Sequence, residues 1–141
     1  MSEKSDLFAR IGQCQQEIAR IRADIESMKA YKSEVIANID QCTIKVEYSN
    51  GYDMTVNNTW RKQLCDEAID LQIVVNTELQ RSIDDYEGLV NDFDVCIDKA
   101  LRMIGELEAE ISRCRARIAQ IEEEERRAAE DRRKHPERYR C

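Results

Sequence analysis

Little in this sequence bends a chain. Four Gly and one Pro among 141 residues allow few reversals, and a fold built around a deep pocket needs more. There is one His, His135, beside Pro136 near the C-terminus. No nucleophile–base pair and no Gly-rich phosphate loop can be found, so catalysis is not expected. The six Cys stand at 14, 42, 65, 96, 114 and 141 without a single CxxC. Zinc sites need closely spaced ligands, so neither a metal nor a cofactor is expected. Reduced thiols are expected instead of disulfides, with Cys141 the reactive one. No apolar run approaches the ~20 residues of a membrane span. MSEKSDLFAR has no apolar core of the kind a signal peptide carries, which predicts a cytoplasmic chain. The net charge of −7 disfavours binding to nucleic acid, whose phosphates need a basic surface. Residues 126–141 are locally basic, with seven Lys and Arg against three Asp and Glu, but the acids are interleaved. A solvated helix end is the plain reading.

What is present is heptad repeat. Charged residues make up 36% of the chain, in the Ala-, Glu-, Arg-, Leu- and Ile-rich composition of long helices. Leu7, Ile11, Cys14, Ile18, Ile21, Ile25, Met28, Lys32, Val35, Ile39, Cys42 and Val46 follow one another at alternating steps of four and three. Only Lys32 is polar. A 3.5-residue repeat sustained in this way is a coiled-coil seam. Leu79, Ile83, Tyr86, Val90, Phe93, Ile97, Ala100, Ile104, Leu107, Ile111, Cys114, Ile118 and Ile121 repeat the pattern with no polar member. Hydrophobic residues are 42% of the chain, so composition alone would fill fewer than half of these positions. Ser5 or Asp6 is placed to cap the first helix. Glu122–Arg126 and Glu123–Arg127 extend the second past its seam as i,i+4 pairs, and Pro136 ends it.

These signals predict an all-α fold, an elongated antiparallel helical hairpin or coiled coil. Residues 1–135 form one domain and 136–141 a basic tail. The connection admits two forms. Residues 47–58 are a loop, with the second helix restarting at the cap cluster Asn57-Asn58-Thr59 and Trp60 in its first turn. Alternatively, Ser49-Asn50-Gly51 is the turn of a β-hairpin that pairs Tyr48 with Tyr52, Val46 with Met54 and Ile44 with Val56. Glu47 would then oppose Asp53 across the ladder, which destabilises it.

Two features point to a partner. Between Leu64 and Val75 the apolar residues cover most of the helix circumference, and Leu89, Cys96 and Met103 form a second stripe. A helix of that kind is buried on more than one side. If the chain folds back at residue 52, the first helix covers only about 60–100. The seam from Ile104 to Ile121 is then bare, unless the second helix bends back at Gly88 or Gly105. A bare stripe of this kind is a binding surface, filled by a second copy or by another protein.

The layout resembles a known family. A heptad helix, a short polar break, a single Trp opening the second helix (Asn58-Thr59-Trp60-Arg61-Lys62), then Tyr86 and the run Phe93, Ile97-Asp98-Lys99-Ala100 and Ile104 are similar to the WXG-type helical hairpins of type VII secretion. The likeness is strongest to the small helical proteins that accompany LXG toxins. It implies a targeting chaperone or adaptor that pairs with the helical N-terminal domain of an LXG-type toxin, alone or with a second small helical protein. It also implies export without a signal peptide. Two departures stand. Lys62 occupies the place of the motif Gly, and no Tyr or Phe is followed four residues later by an acid, so the export signal would come from the partner. The partner-binding residues expected are Trp60, as interhelix plug, with Leu89, Met103, Ile104, Leu107, Ile111, Ile118 and Ile121. The other reading is a prefoldin-like holdase or a structural coiled coil that forms homo-oligomers.

Overall fold

A computed structural model describes residues 2–53 and 62–139. The protein is an all-α antiparallel helical hairpin of two long helices packed together, α1 (Glu3–Gly51) and α2 (Lys62–Lys134). A 3-10 turn, Pro136–Tyr139, follows. All twelve seam residues of α1 and all thirteen of α2 are buried or half-buried. The heptad spacing brings them to one face of each helix, where each fully buried Ile contributes about 1.5–3 kcal/mol. Asp131 accepts a hydrogen bond from the Tyr139 hydroxyl, and Arg132 stacks over the Tyr139 ring at 5.4 Å, so residues 136–139 fold back on the last turns of α2.

Several expectations are corrected in detail. Ser2 caps α1, in place of Ser5 or Asp6: its Oγ accepts the Ser5 N–H at 3.1 Å, and helix begins one residue after it. Residues 44–51 are helical, which removes the alternative in which Ile44, Val46 and Tyr48 form a strand and starts the connection later than 47. A lone two-stranded ribbon is marginal in water, whereas these residues continue the backbone ladder of a helix already packed on α2. Met54, Val56, the cap cluster 57–59 and Trp60 lie outside the described residues. α2 is continuous through Gly88 and Gly105.

The chain divides into two compact units: unit 1, Met1–Asp24 with Lys99–Cys141, and unit 2, Ile25–Asp98. In unit 1 the core is Ile11, Cys14, Ile18 and Ile21 against Ala100, Ile104, Ile111, Cys114 and Ile118. Charged pairs frame it. Arg10 donates to both oxygens of Glu110 at 2.5 and 2.8 Å, and Arg117 to both of Glu3 at 2.8 and 3.2 Å. Lys4 reaches Glu122 and Glu125 at 3.4 Å each. The register places the N-terminal turns of α1 on the seam from Ile104 to Ile121. That seam is therefore covered within the chain and is not bare. Fold-back at residue 52 would put residue 3 near 101, yet Glu3 meets Arg117. The other end of α1 keeps the same offset, with the Ser49 carbonyl on Gln72.

In unit 2, Ile25, Ile83 and Ile97 are buried. Lys32, the polar interruption of the first seam, is half-buried and its Nζ lies 2.6 Å from Asp94. A cation at a seam position sets register when its partner stands opposite, and Asp94 does.

Two outcomes are expected. Gly88 and Gly105 are helical, exposed, and have open space where a Cβ would stand. Gly88→Ala is expected to stabilise by about 0.5–1 kcal/mol, read as a higher midpoint in a thermal melt followed by circular dichroism. The second concerns pH. Hydrogen bonds from Arg117 hold the Glu3 carboxyl below its ordinary 4.5, and Arg10 does the same for Glu110. A carboxylate depressed in the folded state stabilises it above the ordinary value, and that contribution disappears as pH falls through the folded value. The urea midpoint is expected to fall once pH drops below 4.5, and Arg10→Gln with Arg117→Gln to flatten that fall.

Candidate protein-binding surface

The polarity of α2 inverts near its start. The helix turns Gln72 and Asn76 toward α1, where Ile and Leu stand further along. Ile73, Val74 and Val75 face outward, 58%, 57% and 50% exposed. The amides have a local reason to face inward. The last carbonyls of a helix have no partner within it, and the Gln72 side-chain amide donates to the carbonyls of Ser49 and Tyr52, the latter at 3.1 Å. Asn76 Nδ2 donates to Asn50 Oδ1 at 2.5 Å. Gln72 thus caps α1 from the opposite helix, and α2's first ten residues, 62–71, extend beyond that cap.

The consequence is apolar surface that this end of the hairpin does not cover. Leu64 and Leu71 on α2, and Ile44, Tyr48 and Tyr52 at the end of α1, are at least half exposed. Beside them lies a cleft of about 600 Å3 lined by Val46, Asn50, Ile73, Asn76, Thr77 and Gln80. Among the described residues, Asn76 Oδ1 is buried without a hydrogen-bond partner.

Burial divides unevenly between the units. Among the described residues, nine of the twelve buried apolar side chains belong to unit 1, and twelve of the sixteen large exposed ones to unit 2. Charge divides too. Unit 2 carries six Lys and Arg against fifteen Asp and Glu, a net −9, and unit 1 sixteen against fourteen, a net +2.

The residues expected to contact a partner fall into three groups. Leu89 and Met103 are exposed, at 41% and 49%. Leu107 and Ile121 are half-buried. Ile104, Ile111 and Ile118 are buried against α1, so a partner reaches them only by displacing α1. Trp60 lies outside the described residues. Sequence reasoning passed over Leu64, Leu71 and Ile73–Val75 as individual contacts, although the all-round apolar character of that segment was the signal for them.

The cysteines follow their positions. Cys14 is wholly buried. Burial pushes its thiol up, the neighbouring Glu110 carboxylate adds to this, and Arg10 opposes it. Cys114 is buried, Cys42 half-buried and Cys96 exposed, all as thiols. Cys141 lies outside the described residues. Among the described residues no cluster of His, Cys, Asp or Glu could hold a metal ion, and no helix is long and apolar enough to cross a membrane. In comparisons with known proteins, no family model, curated protein or solved structure matches the chain.

Gln72→Ala removes the cap without opening the Ile core. Amide hydrogen exchange at residues 48–52 is expected to quicken, while the thermal midpoint falls only by the equivalent of about 1 kcal/mol.

Proposed function

We propose that this chain is a non-enzymatic binding module: a targeting chaperone or adaptor that pairs with the helical N-terminal domain of an LXG-type toxin for type VII secretion. The observation that carries the binding reading is the inverted polarity of α2. Gln72 and Asn76 face α1 while Ile73, Val74 and Val75 face outward. A helix that spends its inward positions on amides and presents β-branched residues to water gains by burying them in another protein, in helix-on-helix mode. The toxin assignment rests on the resemblance carried by Asn58-Thr59-Trp60-Arg61-Lys62 and the heptads that follow. It is supported by the helical hairpin itself. The alternative of a prefoldin-like holdase loses its distinguishing feature, since residues 44–51 are helix. A structural coiled coil that covers the same apolar residues with a second copy is the competing reading.

Light-scattering mass of the purified chain, alone and mixed with an LXG-type helical domain, separates the two. A one-to-one complex formed at the expense of any self-associated state is the expected result. A homo-oligomer of constant mass that ignores the toxin domain would replace this reading with the structural one.

A further inference from the structure

α2 carries a second seam. Leu64, Leu71, Glu78, Asp85 and Asp92 lie on one line at spacing seven. Ala68, Val75, Ser82, Leu89 and Cys96 lie on the adjacent line, so the two lines together repeat the step of four and three. This seam is distinct from the one that packs on α1, whose members here are Leu79, Ile83, Tyr86, Val90 and Phe93. Its large apolar members are exposed: Leu64 50%, Leu71 66%, Val75 50% and Leu89 41%. Two lines at heptad spacing are what a further helix packs against. From residue 78 onward, however, one line is acidic at each step.

The acids decide what kind of helix fits. Arg81 lies 3.1 Å from Glu78, and Lys32 occupies Asp94. Asp66, Glu67, Asp70, Asp85, Glu87 and Asp92 make no ion pair among the described residues. In unit 1, by contrast, Glu3, Glu108, Glu110 and Glu122–Glu125 all face Arg or Lys of the same chain. The second seam therefore combines uncovered apolar residues with uncompensated negative charge, inside a unit of net −9. An acidic partner helix, or a second copy of this same acidic seam, would set like charges against each other.

We propose that this second seam of α2, Leu64 to Cys96, seats one helix of a partner protein whose apolar stripe is edged by Lys or Arg facing Asp85 and Asp92. The inference rests on the binding-module reading above and adds to it the surface and the charge of the partner.

The test uses the full chain and two synthetic helical peptides. Both carry the same Leu and Ile heptad seam, one edged with Lys and the other with Glu, and binding is read by fluorescence anisotropy. The Lys peptide is expected to bind at least about tenfold more tightly than the Glu peptide. Asp85→Lys with Asp92→Lys is expected to invert that order. Val75→Asp is expected to weaken the Lys peptide about tenfold, whereas attraction by charge alone would grow with the added acid. All three substituted positions are exposed, and unchanged circular dichroism verifies the fold of each variant. Equal binding of the two peptides, no binding of either, or an order unmoved by the double reversal overturns the proposal. So does self-association of the chain that Val75→Asp abolishes, because a second copy then fills the seam.

An LXG-type toxin domain run in parallel separates this inference from the function proposed above. A complex insensitive to the double reversal refutes the surface and leaves the chaperone reading standing. Binding of the Lys peptide with none of the toxin domain refutes the toxin partner and leaves the surface.

Discussion

A seam of apolar residues repeating every 3.5 positions must face another seam, because nothing else removes its stripe from water along the whole length of a helix. Here both seams belong to one chain, so the register between them governs what is buried and what is not. In unit 1 the Arg10–Glu110 and Arg117–Glu3 bonds fit only one alignment. In unit 2, Lys32–Asp94 and the amide contacts of Gln72 do the same. Exposed ion pairs add little stability each, but a one-heptad slip would strand every one of them. They select the alignment that the Ile and Cys residues stabilise.

That alignment leaves a helix end to be satisfied. α1 finishes at Gly51, where the Ser49 carbonyl accepts from the Tyr52 N–H at 3.3 Å and, with the Tyr52 carbonyl, also from the Gln72 amide of α2. An amide in that role turns the neighbouring apolar residues away from α1. Ile73, Val74 and Val75 are exposed because Gln72 and Asn76 are not. Asn76 Oδ1, without a partner among the described residues, belongs to the same local arrangement. The bonds at the end of α1 and the outward face of α2 are one constraint here, and it leaves Ile73, Val74 and Val75 at least half exposed.

The two units consequently differ in kind. Among the described residues, unit 1 buries or half-buries most of its large apolar side chains and pairs most of its carboxylates with Arg and Lys. Unit 2 has few buried side chains, many exposed ones and an excess of acid. Buried apolar contacts are therefore concentrated in one unit and uncovered apolar side chains in the other.

The heptad spacing determined the fold class and the seam residues of both helices, because periodicity is a local property and a helix places residues three and four apart on one face whatever surrounds it, and the ring of Pro136 determined the stop. The same periodicity marked residues 64–75 as apolar on too many sides for a simple hairpin. Tertiary structure decided the rest. Register is a relation between distant residues, so counting from a supposed turn at residue 52 left Ile104 to Ile121 bare, when α1 in fact lies on them. The helical state of residues 44–51 was undecided locally, since Ile44, Val46 and Tyr48 also alternate as a strand does. Nor does the sequence say that Gln72 and Asn76 face inward while Ile73 to Val75 face water. Hydropathy predicts the opposite, and only the carbonyls at the end of the other helix reverse it.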